Sequence, residues 1–349
     1  MDIKKIEKGF LVPSALFTVP KSRLRLYRPV GGRPEVGDIV YASITRIGQH
    51  TTLENKFGRL RKMHNGTKAI FVFGNRYAPD FYEGLVPDKA VEEADILVGS
   101  GVIGIVKSKS SLVIDPTKVK ILGYVCDEKG NKINSRDYSL ISPRKSEKNF
   151  PRSKLILVCG TAMNSGKSTV AAACCFALSS FGFKVRASKV TGTASLRDIL
   201  YMNDAGAYPI NDFSYFGHPS TYKLEKGELL RIFNSIDLKY ANNPRNYWVV
   251  EIADGINQRE TAMLLGSDDV KSRISRLIFC AYDALGAIGG LRVLKEKFGL
   301  GPDIISGVCS SSPLHVKEIR EFTSIPIVNS NAVDIAGLNR LLTGNEKKK

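Results

Sequence analysis

The chain has 349 residues, 43% of them apolar and 24% charged, with a formal net charge of +17. That composition is typical of a soluble globular chain long enough for two domains. No run reaches ~18 uninterrupted apolar residues, and the N-terminal MDIKKIEKGFLVPSALFTVPKSR lacks the length and small-residue cleavage site of a secretory leader, so no membrane partner is expected and a cytoplasmic location is the default.

The charge is uneven. Residues 1–76 carry 15 Lys/Arg against 5 Asp/Glu, residues 77–150 carry 11 of each, and residues 151–349 carry 25 against 18. More than half of the excess therefore lies in the first fifth of the chain, which suits a polyanion partner such as nucleic acid. Many basic soluble proteins have no such partner, so the charge alone leaves the matter open.

Residues 1–30 read as a basic N-terminal arm with Lys21, Arg23, Arg25 and Arg28 close together. From Gly37, GDIVYASITRIG alternates apolar and polar residues as a half-buried strand does. KAIFVFGNRYAPD, VGSGVIGIVKS and SLVIDPTKVKILGYV continue with short strands and glycine-bearing turns. Such spacing predicts a small β-rich, barrel-like domain over residues 31–141, of OB-like or SH3-like size. Tyr41, Phe57, Phe71, Phe73 and Tyr77 can serve there as stacking platforms for bases or as core, and core is the better reading for Phe71 and Phe73.

Residues 142–154, SPRKSEKNFPRSK, are polar, charged and proline-bearing, and read as a linker. Strands then alternate with helical stretches, which indicates βαβ units around a parallel sheet over residues 155–343. The strands expected are Leu155–Cys159, Val185–Lys189, Trp248–Ile252, Arg276–Ala281, Ile304–Val308 and Pro326–Val328. The helices expected are Ser168–Ser180, Gly227–Asn234, Gly290–Phe298, Leu314–Glu321 and Ala332–Leu342. Residues 344–349 form a basic tail. The fold class is thus α/β, a parallel-sheet domain preceded by a smaller β-rich one.

The six cysteines include no C-x2-C pair and the four histidines are scattered, so a zinc site has little support. Cys159, Cys280 and Cys309 read as small buried hydrophobes.

The chemistry concentrates in LILVCGTAMNSGKST, Leu155 to Thr169. An apolar strand ends in Gly160, a small polar loop comes next, and the helix-forming VAAACCFAL comes after Gly166-Lys167-Ser168-Thr169. Backbone N–H groups of such a loop and the positive end of the helix hold an anion. Gly160, Thr161, Asn164, Ser165, Gly166, Lys167, Ser168 and Thr169 would form the cradle. Lys167 would reach the terminal phosphates and Ser168 would ligate Mg²⁺. The pattern is G-x5-G-K-S rather than the usual G-x4-G-K-[ST], with Thr161 in the place of the first glycine.

This longer loop resembles that of dethiobiotin synthetase and the cobyrinate amidases, within the P-loop NTPase class that also holds MinD-like ATPases. FKVRASKVTGTAS looks like that family's second strand, which ends in a lysine near the phosphates, here Lys189. YWVVEIADG looks like the strand whose terminal carboxylate helps hold Mg²⁺, here Glu251. LIFCAYDALGAIGGL looks like a later strand and turn. The synthetase's Asp-Thr pair is replaced by Ala162 and Met163, its later turn asparagine is absent, and so is the early signature lysine of MinD-type loops. HPSTY and VVEIADGINQRET also resemble an uncharacterised P-loop group.

The resemblance implies a P-loop NTPase domain that binds ATP and Mg²⁺. ATP is the default because the guanine-reading Asn-Lys-x-Asp string is absent. Phosphoryl transfer needs positioning, positive charge and a metal. Lys167 and Lys189 would supply the charge, Ser168 and Glu251 the metal ligands, and Asp254 would orient a water or acceptor hydroxyl. Asp204 or Asp212 would complete the metal site, and the sequence does not choose between them. Ser195 to Tyr222, with His218, breaks the βα alternation and reads as a substrate-binding insertion or lid. Three functions are compatible with these residues: an ATP-dependent enzyme that phosphorylates or activates a small molecule, a nucleic-acid-associated ATPase gripping through the basic N-terminal region, and a non-catalytic nucleotide sensor in a larger assembly. A homo-oligomer is compatible with each.

Overall fold

The computed structural model describes residues 2–29, 31–142, 151–329 and 331–344. Most of the residues read as a linker, and the basic tail beyond residue 344, lie outside the described residues. The chain divides into two compact units. The first contains residues 1–142 together with 192–197 and 213–223, and the second contains the remainder. Both short segments thus come from within the range that reads, by sequence, as the parallel-sheet domain.

The first unit is built on strands β1 (Lys4–Lys5), β2 (Leu26–Arg28), β3 (Ile39–Arg46), β4 (Thr52–Glu54), β5 (Leu60–Lys62), β6 (Lys68–Phe73), β7 (Arg76–Tyr77), β8 (Tyr82–Leu85), β9 (Glu93–Val98), β10 (Val102–Lys109) and β11 (Lys118–Cys126). Pairing runs β11–β3–β6–β10, and β9 pairs with both β10 and β11. Five strands therefore close a circuit, antiparallel throughout except for β6 beside β10. Closure removes the free edges that would otherwise pair with other chains. Inside lie Val40, Ala42, Ile44, Phe71, Phe73, Ile96, Ile103 and Val119, alternate residues of their strands, as the two-residue period requires. The stretch read as an arm contributes β1 and β2, which continue the sheet from β11.

The second unit holds a six-stranded sheet with every pairing parallel. Its strands are β12 (Lys154–Gly160), β13 (Val185–Lys189), β14 (Ile210–Asp212), β15 (Tyr247–Glu251), β16 (Ile274–Cys280) and β17 (Ile304–Ser306), in the order β14–β13–β15–β12–β16–β17. The helices are α1 (Lys167–Ser180), α2 (Leu196–Asp204), α3 (Lys226–Tyr240), α4 (Arg259–Leu265), α5 (Asp268–Lys271), α6 (Ala284–Phe298), α7 (Pro313–Arg320) and α8 (Ile335–Thr343). Leu155 to Gly160 are all buried, so β12 is an unbroken apolar run rather than an alternating one. It sits inside the sheet, where strand order reverses. Ligands of open parallel sheets bind beyond the carboxyl ends at such a point.

Several boundaries differ from the sequence reading, each for a local reason. Helix α6 begins at Ala284 because the Asp283 side chain accepts the Gly286 N–H at 2.6 Å. Gly289 and Gly290 argue against helix by propensity, but Gly290 is packed against the Phe279 ring, where a larger residue has no room. Helix α8 starts late, at Ile335, under the cap of Asp334. Pro326–Val328 is not a strand. It joins β17 only through a bridge between Ile305 and Ile327, with hydrogen bonds of 2.9 Å from Ile305 N–H to Pro326 and from Val328 N–H to Ile305. Helices α2, α4 and α5 and strand β14 are additions to the expected elements.

Candidate functional site

The loop from Thr161 to Gly166 leaves β12 and enters α1. Gly160 ends the strand, and a side chain there would strike the Cys280 carbonyl at 2.7 Å and Lys167 Cγ at 3.1 Å, so the position must be glycine for lack of space. Thr161 stays in the sheet through its N–H, which donates to the Cys280 carbonyl at 2.9 Å. Thr161, the first residue past β12, is thus tied to the neighbouring strand β16. Gly166 has φ 94°, a left-handed conformation that suits glycine, and directs the chain into α1. Asn164 is also left-handed, at φ 62°. Gly307, after β17, packs against Gly166, and Val308 N–H donates to the Ser165 carbonyl at 3.2 Å, which fixes the far wall of the loop.

Five side chains gather at this loop. Lys167 is 6% exposed, and its Nζ donates to the Ala162 carbonyl at 2.6 Å, across the loop. Burial holds its ammonium below the usual lysine range, with Glu251 opposing that shift. Ser168 Oγ donates to Glu251 Oε1 at 3.1 Å. Lys189 Nζ lies 3.5 Å from the same oxygen and 2.6 Å from Asp198 Oδ2. Burial disfavours the Lys189 ammonium, but the Asp198, Glu251 and Asp254 carboxylates outweigh it and raise the pKa above the ordinary value. Glu251 is 2% exposed, and its Oε2 has no hydrogen-bond partner among the described residues.

Sheet register explains the convergence. Lys189 pairs with Glu251 on one side and with Asp212 on the other, so Asp212, Lys189 and Glu251 stand in one row at the carboxyl ends of three adjacent strands. Asp254 comes after β15 in a left-handed conformation at φ 58° and acts electrostatically on both lysines. Asp204 ends α2 beside Ala205 and Gly206, which contact Ser179 at the far end of α1. Of the two candidates for completing the metal site, only Asp212 lies at the end of the sheet that carries the loop.

The remaining candidates are spread more widely. Thr169 lies in the first turn of α1. Thr161 Oγ1 and Ser165 Oγ are buried hydroxyls with no hydrogen-bond partner among the described residues. His218 is buried in the first unit, on the segment where Ser220 bridges to Thr193 and Thr221 N–H donates to the Gly192 carbonyl at 2.9 Å. Tyr41, Phe71 and Phe73 are buried as well, so none of the three is a surface platform for a base, whereas Phe57 and Tyr77 are exposed. All six cysteines are free and buried; burial pushes the Cys159 and Cys174 thiols up to about 12, which makes them inert packing.

Sequence reasoning missed Asp198. It lies nine residues after Lys189, in the first turn of α2, and no motif marks it. The available signal was weak: a lysine expected to end a buried strand needs a carboxylate nearby.

Among the described residues, no cluster of three His, Cys, Asp or Glu side chains would hold a metal by itself. Mg²⁺ does not need one, since it takes one or two protein oxygens and completes its shell with phosphates and water. Ser168 Oγ and Glu251 form an all-oxygen donor pair, and the unpartnered Oε2 fits that group.

No family model matches the chain, and no curated protein matches it. Among solved structures it is similar to the signal recognition particle receptor FtsY of Elizabethkingia anophelis, determined in complex with GDP. The identity is 10% and the TM-score 0.37, over 59% of this chain and 69% of that one. At that level the likeness carries no argument about function. Among the described residues, no helix is long and apolar enough to cross a membrane.

Proposed function

We propose that the second unit binds ATP with Mg²⁺ and acts as an ATP-dependent enzyme that phosphorylates or activates a small molecule, in the manner of the dethiobiotin synthetase class. One observation carries the reading. The hydroxyl next after the loop lysine meets a buried strand-end carboxylate at 3.1 Å, and that carboxylate has a second oxygen to spare. Lys189 already faces the first oxygen at 3.5 Å, so the buried second oxygen left without a partner is a cost that a bound cation would offset.

In this reading the loop amides and the start of α1 hold the phosphates. Lys167 leaves the Ala162 carbonyl for the terminal phosphates. Ser168 and Glu251 hold the metal, which when bound would neutralise charge developing on the transferred phosphoryl group. Lys189 supplies a second cation, and Asp254 orients the attacking water or hydroxyl.

Titration calorimetry with ATP and with GTP, each with and without Mg²⁺, tests the binding step on the wild type and on Lys167→Ala. Wild-type binding that requires Mg²⁺ and is lost in the variant supports the reading, and absence of wild-type binding to either nucleotide removes it. Phosphate release in the presence of a metabolite pool then separates an enzyme from a sensor that binds without turnover. A nucleic-acid-associated ATPase is the second reading, supported by the exposed cations and bare aromatic ring of Lys56 to Lys62 in the first unit.

A further inference from the structure

Strands β4 and β5 form a two-stranded ribbon of their own, separate from the nine-stranded sheet of the first unit. From Asn55 to Gly66 the sequence NKFGRLRKMHNG has no acidic residue. Lys56, Phe57, Arg59, Leu60, Arg61 and Lys62 are all exposed. The four cations have no acidic partner among the described residues, although the same unit pairs Lys68 with Glu7 and Lys118 with Asp95. Glu54, the nearest acid in sequence, is buried and engaged by Ser14 and by the Leu196 N–H.

The tip of the ribbon is held in shape. Asn55 Oδ1 accepts the Phe57 N–H at 2.9 Å and the Arg59 N–H at 3.1 Å, and Asn55 N–H donates to the Arg59 carbonyl at 2.9 Å. Phe57 is nevertheless 75% exposed, with Leu60, three residues on, at 45% and the Lys56 ammonium 4.9 Å from its ring centre. A scattered surface aromatic needs no explanation. A hydrogen-bonded turn that holds an exposed ring among four cations without acidic partners presents the two elements that bind a single strand, charge for the phosphates and a flat face for a base.

We infer that the β4–β5 ribbon is a binding surface for single-stranded nucleic acid, with Phe57 stacking on a base and Lys56, Arg59, Arg61 and Lys62 contacting the backbone. Duplex is a poorer fit because its bases are already stacked. An acidic protein would use the cations but not the ring. A membrane would need a wider apolar face than one phenylalanine and one leucine provide. The inference stands apart from the nucleotide reading, since every residue in it belongs to the first unit.

Fluorescence anisotropy with the full chain and labelled poly(U) and poly(dT) of about 20 nucleotides tests it. Four phosphate contacts predict that log K falls with log salt at a slope of about −3. The Lys56→Ala/Arg59→Ala/Arg61→Ala/Lys62→Ala variant should lose that slope. Phe57→Ala should weaken binding by about 5- to 100-fold with the slope kept, and Phe57→Trp should restore it. Unchanged circular dichroism would show that the exposed substitutions leave the fold intact. Wild-type binding that neither Phe57→Ala nor the fourfold variant weakens would overturn the inference. So would equal binding to a duplex of the same length, to poly-glutamate, or to phosphatidylcholine vesicles containing phosphatidylserine.

Discussion

The two units place their charges in opposite ways. In the first, the ring of strands encloses an apolar core, and the cations of the β4–β5 ribbon stand in water. In the second, Lys167, Glu251 and Asp212 are buried at the carboxyl end of the sheet, where Glu251 joins Ser168, Lys189 and Asp198 in a tight network. Exposed charge costs little and can be removed without harm to the fold. Buried charge is expensive, and its presence asks for a ligand that offsets the cost. The first arrangement suits a diffuse polyanion, and the second suits a small, highly charged ligand held in fixed geometry.

The largest expected effect tests the contrast between buried and exposed aromatics within the first unit. Phe71→Ala should lower the unfolding free energy by about 4 kcal/mol, the usual cost of removing a core ring. Phe57→Ala should change it by less than about 0.5 kcal/mol. Chemical denaturation measures both, and similar losses would show that the ribbon is packed rather than exposed.

Next comes acid sensitivity. Burial, and then the Arg76 guanidinium, lower the His50 pKa to about 4, against the Leu97 carbonyl, which favours the proton. The unfolded chain titrates this group near 6.5. Between those values the unfolded state binds more protons, so stability is fully present above about pH 6.5 and declines as the pH falls toward 4, by up to about 3 kcal/mol. Denaturation midpoints of wild type and His50→Gln across that range check it, and parallel pH profiles would contradict the assignment.

Lys167→Ala should weaken ATP binding by about 100-fold, or about 2.7 kcal/mol, by removing a charged contact to phosphate. Because burial disfavours the charged lysine, the fold itself should be no less stable. A variant that binds normally would return Lys167 to a structural role. The smallest effect is expected from Asp198→Asn, which leaves Lys189 facing the Glu251 and Asp254 carboxylates. We expect a roughly 1.5- to 5-fold change in nucleotide affinity, the range of a partly exposed ion pair, and no change in the requirement for Mg²⁺.

Much of the second unit was legible in the sequence because its signals are local. Val185–Lys189 stands where the apolar run and its terminal lysine place it, and the loop motif names Lys167 and Ser168 directly. What was not legible depends on distant partners. Nothing in Glu93–Val98 announces that β9 pairs on both sides and closes the ring. Nothing in residues 192–197 or 213–223 shows that they pack with the first unit. Asp198 becomes visible only when α2 is folded, and two glycines hide the first half of α6 because the need for Gly290 comes from the Phe279 ring. Motifs report chemistry that depends on near neighbours, while closure and charge pairing are settled by tertiary packing.

The central claim is that Ser168 and Glu251 form half of a Mg²⁺ site for a bound nucleotide. Calorimetric titration of ATP into wild type and Glu251→Gln, with Mg²⁺ and with EDTA, tests it most directly. We predict tight wild-type binding that EDTA weakens by at least about tenfold, roughly 1.4 kcal/mol, and a variant whose weaker binding no longer responds to the metal. Wild-type binding indifferent to Mg²⁺, or a Glu251→Gln variant that keeps the full response, would contradict it.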